Sequence, residues 1–141
     1  MVSEPLRVPD DEIDFTPDLV YTYRGELLTG IAFEEDPDLG LSVISYVDGA
    51  QQGWARDYDP EGRLRGETLY RENVRHGPDR TFAEDGSLVA EDIYLYGYLV
   101  RSRRADEAGT LTETYVLEPG SQQAELIADY RRDSGPEEFN A

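Results

Sequence analysis

Cysteine and lysine are both absent from this chain of 141 residues, and histidine occurs only once, as His76. Without cysteine there are no disulfides, no thiolate nucleophiles and no zinc or iron–sulfur sites that need sulfur ligands. All 13 basic residues are arginine, so Schiff-base chemistry and a phosphate-binding P-loop lysine are excluded as well. We therefore expect no cofactor of its own in this protein.

Long apolar runs are also missing. No stretch approaches the roughly 18 apolar residues of a membrane helix, and the N-terminal segment 1–18 is acidic rather than basic and then apolar. A chain of this length has room for one domain with a modest core. We expect a cytoplasmic protein of one domain, monomeric or weakly self-associating, with no membrane contact.

Negative charge dominates the composition. The chain carries 31 acidic against 13 basic residues, a net charge of -18 at pH 7. Such a protein is repelled by nucleic acid and by anionic membranes, and it attracts basic partners by long-range steering. We expect a basic protein partner and no nucleic acid, with the alternative that the carboxylates serve only solubility.

A repeat with a period of about 24 residues runs through the middle of the chain. Each unit reads as glycine, four residues, an aromatic residue, three residues, glycine, one residue and leucine, followed by glutamate and tyrosine. The matched pairs are Gly53 and Gly77, Tyr58 and Phe82, Gly62 and Gly86, Leu64 and Leu88, Glu67 and Glu91, and Tyr70 and Tyr94. Tyr46 and Gly49 extend the phase backwards. Forwards it weakens, because Gly109 and Leu111 arrive one residue early.

One unit has the pattern of a β-hairpin. Turn-forming residues at Asp59–Gly62 separate two short strand-like runs, and Glu84–Gly86 occupies the same place in the next unit. We expect Gly62 and Gly86 to adopt positive φ in these turns. The linkers between units are too short for crossover helices, so the hairpins should join as an all-β antiparallel meander in one long sheet.

Alternation along the second strand of each unit predicts one apolar and one charged face. Leu64, Thr68 and Tyr70 share one face, whereas Arg65 and Glu67 share the other. In the next unit an aspartate, Asp92, interrupts the apolar face. The repeat-equivalent tyrosines Tyr46, Tyr70 and Tyr94 are expected to pack in the core or across strands.

The two ends lie outside the repeat. Residues 1–18 are rich in aspartate and glutamate, which predicts an acidic, loosely ordered arm, and 133–141 are interpreted as a flexible tail. Residues 19–132 would then form the repeat domain. Its last segment, residues 122–132, fits either a strand, from alternating apolar positions, or a helix capped by Ser121. The alternation slightly favours the strand.

No constellation of catalytic or metal-ligating residues is evident. His76 lies in a connector and is interpreted as a solvent-exposed turn residue, and no nucleophile-elbow motif accompanies it. Asp57–Gly62 resembles the start of a calcium loop, but Thr68 stands where the loop needs a bidentate glutamate. Glu67 and Glu91 could be imagined as a glycosidase pair, yet as repeat-equivalent residues they are interpreted as structural. The sequence therefore does not predict an enzyme.

From about Tyr21 to Tyr115 the repeat resembles the bacterial MORN-repeat variant, whose units read roughly G-x-x-x-x-Y-x-x-x-G-x-L-x-x-E-x-x-Y-x-x-G. Proteins of this kind are commonly grouped as YwqK-type antitoxin or immunity components of toxin–antitoxin systems. The resemblance thus implies a hairpin-repeat fold and an antitoxin or immunity role. Because MORN-type repeats also occur in scaffolds, a non-inhibitory interaction module is the alternative.

Candidate partner-binding residues follow from charge and position. Carboxylates in the turns and on the charged face would steer a basic partner, and an exposed aromatic residue would anchor it. The candidates are Trp54, Asp57, Asp59, Glu61, Glu67, Glu84, Asp85 and Glu91.

Overall fold

Nine of the twelve strands form one continuous sheet in the computed structural model, which describes residues 5–134. All neighbours pair antiparallel except the first two, which are parallel. In spatial order the strands are β1 (Arg7–Pro9), β5 (Gly30–Asp36), β6 (Gly40–Val47), β7 (Ala50–Tyr58), β8 (Leu64–Arg71), β9 (Val74–Phe82), β10 (Leu88–Leu95), β11 (Tyr98–Ala105) and β12 (Leu111–Val116). The predicted all-β antiparallel meander is confirmed.

A second, small sheet and one helix complete the fold. The small sheet consists of β2 (Ile13–Phe15), β3 (Tyr21–Tyr23) and β4 (Glu26–Leu27). A 3₁₀ turn at Asp10–Glu12 links β1 to β2, and helix α1 (Gln122–Ser134) follows β12. Within residues 5–134 no helix is long and apolar enough to cross a membrane.

The repeat period is visible in the backbone at one end of the strands. Four short turns have both central residues at positive φ, as in the type I′ turns that match strand twist. They are Arg24–Gly25, Asp48–Gly49, Glu72–Asn73 and Tyr96–Gly97, and each follows the one before by one full repeat. Sequence periodicity and turn geometry therefore have the same origin.

The opposite ends of the strands carry the predicted glycine turns. The Gly62 N–H donates to the Asp59 carbonyl at 2.8 Å, and the Gly86 N–H donates to the Ala83 carbonyl at 3.0 Å. Both glycines have positive φ, 82° and 88°, which confirms the expectation. Gly109 closes the same turn on the Asp106 carbonyl at 2.9 Å, so the weaker last unit keeps this geometry with one residue fewer.

The N-terminal segment is not a loosely ordered arm. β1 pairs with β5, Val8 is fully buried, and β2 pairs with β3. The acidic composition misled the interpretation because only a few apolar side chains, Val8 and Ile13 among them, are needed to attach the segment. Residues 1–4 lie outside the described part of the chain.

Residues 122–132 belong to a helix, so the preference for a strand is wrong. Ser121 Oγ accepts a hydrogen bond of 3.2 Å from the Ala124 N–H, the N-cap that the alternative interpretation requires. Ile127 is buried, and the Tyr130 ring stacks on Tyr96 with centroids 5.4 Å apart. The helix continues into the predicted tail as far as Ser134, and 135–141 lie outside the described residues.

The main buried cluster lies where the small sheet packs on the large one. Val8, Leu28, Ala32 and Tyr46 are each no more than 5% exposed and are contacted by half-buried side chains of β2 and β3. Burying apolar side chains between two layers stabilises this end of the molecule. It also creates the cleft described below.

Candidate functional site

A ladder of alternating charges crosses five strands of the large sheet. The register places Arg56 opposite Glu67, Glu67 opposite Arg80, Arg80 opposite Glu91, and Glu91 opposite Arg103. Arg80 donates to Glu67 from Nη1 at 3.2 Å and to Glu91 from Nε at 2.9 Å. At the two ends of the ladder, Arg56 Nε donates to Glu67 at 3.2 Å and Arg103 Nε donates to Glu91 at 3.1 Å. The regular spacing of the units thus becomes a row of ion pairs.

The glutamates of the ladder are occupied by arginines of the same chain. Glu67 and Glu91 are only 9% and 7% exposed. Burial by itself would raise the pKa of Glu91, but hydrogen bonds from Arg80 and Arg103 outweigh it and the pKa is lowered. The carboxylates of these two candidates are therefore engaged by arginines of neighbouring strands.

Asp59 is likewise committed to its own turn. Its carboxylate accepts the N–H groups of Glu61 and Arg63 at 3.0 and 2.9 Å and the Arg63 guanidinium at 2.7 Å. Burial would raise the pKa of Asp59, but the hydrogen bonds from Arg63 and Glu61 lower it overall. Glu61, in the same turn, is exposed and lies 3.3 Å from Arg63.

The turn of the next unit is more open. Asp85 accepts the Ser87 N–H at 2.9 Å and the Ser87 hydroxyl at 2.6 Å, and these bonds lower its pKa. Glu84 is exposed beside it. Glu61, Glu84 and Asp85 are thus the predicted turn residues whose carboxylates remain at the surface.

Trp54 lies on a shallow groove rather than in the core. The Arg56 guanidinium sits 4.9 Å above its ring, and the residue is half-buried opposite Leu69. The groove has a volume of about 650 Å³, and Val43 and Val47 form part of its wall. None of the described residues that line this groove carries a carboxylate.

Asp57 alone of the candidates opens into a cleft between the two sheets. Its carboxylate accepts a 2.5 Å hydrogen bond from the Ser42 hydroxyl. The cleft has a volume of about 520 Å³ and is lined mostly by aliphatic and aromatic side chains. The principal lining residues are Asp10, Ile13, Phe15, Tyr21, Glu34, Ile44, Tyr46, Arg56, Asp57 and Tyr70.

Aromatic rings form one continuous wall of this cleft. Phe15 and Tyr21 have centroids 4.6 Å apart, and Tyr21 and Tyr46 lie 4.9 Å apart. Burial raises the pKa of the Tyr46 hydroxyl. The repeat-equivalent tyrosines have different settings: Tyr46 is in the core, Tyr70 faces the cleft, and the Tyr94 hydroxyl accepts from Arg75 at 2.8 Å.

Two further carboxylates of the cleft are brought together by the parallel pairing. Pro9 is the register partner of Phe33, so Asp10 and Glu34 come next on neighbouring segments. The negative charge of Asp10 raises the pKa of Glu34, with a hydrogen bond between the two side chains as the second cause. Within residues 5–134, neither of them nor Asp57 is paired with an arginine. Sequence reasoning missed both because they are distant along the chain and nothing local signals their contact.

His76 is buried, so its interpretation as an exposed turn residue is wrong. It is 1% exposed, its Nδ1 accepts the Tyr96 N–H at 2.9 Å, and its ring lies 4.6 Å from that of Tyr96. The supposed connector is in fact the start of β9, which begins at Val74. A small cavity of about 230 Å³ is lined by this histidine together with Tyr96 and Tyr130 of α1.

Asp92 is also explained by its contacts. The carboxylate that interrupts the apolar face accepts a hydrogen bond of 2.8 Å from Arg104 Nη1. Burial would raise the pKa of Asp92, but hydrogen bonds from Arg104 and Ser102 lower it. The aspartate is therefore tolerated because an arginine of the next strand pairs with it.

Among residues 5–134, no three histidine, aspartate or glutamate side chains are grouped as metal ligands. Comparison of the whole chain with protein-family models, with curated proteins and with solved structures finds no match.

Proposed function

We propose that this protein is an antitoxin or immunity-type inhibitor that binds a basic toxin or effector protein stoichiometrically. The observation that carries the proposal is the distribution of charge. Carboxylates outnumber arginines 31 to 13, and the arginines are largely engaged within the chain. The molecule thus presents an acidic surface together with the acidic cleft.

Arginine engagement is extensive in the part of the chain that the structure describes. Nine arginines there lie within 4.0 Å of a carboxylate: Arg56, Arg63, Arg65, Arg75, Arg80, Arg101, Arg103, Arg104 and Arg132. Two others, Arg7 and Arg24, lie over the rings of Phe33 and Tyr23. A basic partner therefore meets carboxylates with few competing cations.

The likeness of the repeat pattern to the MORN-repeat variant supports an inhibitory role. A rigid sheet could occlude the basic cleft of a toxin that acts on nucleic acid, with charge raising the association rate. A few desolvated contacts would supply much of the affinity. Inhibition of this kind requires no chemical change in the partner.

The test is co-expression with the product of an adjacent reading frame. The proposal expects that product to arrest growth alone, and this protein to restore growth and co-purify with it at a fixed ratio. A complex without rescue would favour the non-inhibitory scaffold instead. No complex and no rescue, with the protein folded, would contradict the proposal.

A further inference from the structure

We propose that the cleft between the small and large sheets binds an arginine side chain on a segment of the basic partner. This inference rests on the proposed function and specifies where the partner is held. The site consists of Asp10, Glu34 and Asp57 together with the rings of Tyr21 and Tyr70.

The dimensions of the cleft suit a side chain rather than a flat protein surface. Its volume of about 520 Å³ falls within the roughly 300–1,000 Å³ of typical ligand pockets. Its walls belong to packed strands, since Tyr21 lies in β3 and Tyr46 in β6, with their rings in contact. The pocket is therefore formed before a partner arrives, which limits the ordering cost of binding.

Aromatic walls and unpaired carboxylates together select a guanidinium. The planar cation stacks on aromatic faces and donates bidentate hydrogen bonds to carboxylates, whereas an ammonium group is a strongly hydrated point charge. The protein itself places an arginine over an aromatic ring in the same way: Arg56 over Trp54, Arg75 over Tyr94 and Arg24 over Tyr23, each at 4.9 Å from the ring centroid.

The arginine at the edge of the cleft does not fill this role. Arg56 and Asp57 are successive residues of β7, so their side chains point to opposite faces of the sheet. The Arg56 guanidinium is engaged on its own face by Glu67 and the Trp54 ring. A cation for Asp10, Glu34 and Asp57 would therefore come from a partner.

Electrostatics within the cleft favour an incoming positive charge. Asp10 and Glu34 repel each other across the parallel strand pair, and a bound cation would relieve that repulsion. Asp57 is held by Ser42 and keeps acceptor capacity. The Trp54 groove does not favour an incoming cation in this way. Its described lining contains no carboxylate, and its charged residue is Arg56, which is itself a cation.

The direct test is titration of the ¹⁵N-labelled full chain with a capped tri-arginine peptide, followed by NMR. We expect saturable shifts concentrated at Ala32–Glu34 and Ser42–Ile44. The double variant Glu34→Gln/Asp57→Asn should weaken binding about tenfold or more, since two charged acceptors are lost. The matched control Glu107→Gln/Glu118→Gln removes the same charge at exposed sites and should change affinity less than about threefold.

A second variant guards against loss of folding in the double variant. Glu34 is exposed, so Glu34→Lys should keep the amide spectrum of a folded sheet and abolish peptide binding by filling the cleft with a cation. Equal weakening by the cleft and control pairs, shifts centred elsewhere, or tighter binding of spermine than of the peptide would each overturn the inference.

Binding of the adjacent gene product to the wild type and to Glu34→Lys distinguishes failure of this inference from failure of the proposed function. If that protein binds wild type and Glu34→Lys equally well, the cleft is not its site although the inhibitory function stands. If it does not bind wild type at all, the proposed function fails regardless of the peptide result.

Discussion

His76 Nδ1 accepts a 2.9 Å hydrogen bond from the backbone N–H of Tyr96, two residues that lie 20 positions apart. The bond joins the start of β9 to the type I′ turn between β10 and β11. Tyr96 in turn stacks on Tyr130 of α1. One buried imidazole thus connects the last hairpins with the helix.

Replacing this histidine tests the connection. His76→Leu should lower the free energy of unfolding by about 2–3 kcal/mol, because a buried N–H loses its acceptor. His76→Asn, which keeps an oxygen near the Nδ1 position, should cost less. Urea denaturation measures both, with the exposed Glu107→Ala as control. Wild-type stability in His76→Leu would contradict the assignment.

The charge ladder should contribute stability that an exposed ion pair does not. Glu91→Gln removes the charge between Arg80 and Arg103 and should cost about 1–2 kcal/mol, less than for a fully buried ion pair, because both arginines are partly exposed. Glu113→Gln makes the same change in an exposed pair with Arg101 and should cost less than about 0.5 kcal/mol. Equal effects in the two variants, measured by urea denaturation, would mean that the ladder has no special role.

The ladder also sets a pH dependence. The pKa of Glu91 is lowered from its ordinary 4.5, so the unfolded chain takes up the proton first as pH falls. The stabilisation is therefore complete above about pH 5 and is lost below 4.5, as pH falls through the folded-state value. The difference in urea midpoint between wild type and Glu91→Gln should shrink over that range. A difference that grows on acidification would contradict the sign.

Two glycines at strand ends should differ in their tolerance of a side chain. A Cβ at Gly62 meets nothing within 4 Å, so Gly62→Ala should cost only the strain of φ 82°, about 1 kcal/mol. A Cβ at Gly40 would lie 1.9 Å from the Tyr58 carbonyl oxygen, and Gly40→Ala should cost at least about 2 kcal/mol more. Thermal and urea unfolding of the pair measures the difference. Equal stabilities would contradict the close approach of the Gly40 backbone to the Tyr58 carbonyl oxygen.

The features predictable from sequence are those that local spacing determines. Gly62 and Gly86 mark turns because each turn needs positive φ, and both glycines have it. The predicted faces of β8 are wrong in one respect, because its buried side chains, Glu67 and Leu69, lie on the face expected to be charged. The repeat-equivalent positions of Glu67 and Glu91 argued against a glycosidase pair, but both were also named as partner-binding candidates, and the sequence did not reveal the arginines that pair with them. In a hairpin the two paired strands are adjacent in sequence and joined by a short turn, so the meander could be predicted from local patterns.

The features that were missed depend on pairing between distant segments. β1 pairs directly with β5, although the three strands of the small sheet lie between them in the sequence. This pairing brings Asp10 beside Glu34. Asp57 was recognised for its charge, but its place in a cleft depends on the small sheet above it. Residues 122–132 carry both an alternating and a helical pattern, and the Ser121 cap, together with burial of Ile127, decides between them.

The association kinetics of the adjacent gene product test the central claim most directly. Raising the salt concentration from about 50 to 500 mM shortens the electrostatic screening length to a few Å, so the association rate constant should fall about tenfold or more. The dissociation rate constant should change less than about threefold, because it reports the contacts already formed. An association rate indifferent to salt would contradict charge-steered binding by this acidic protein.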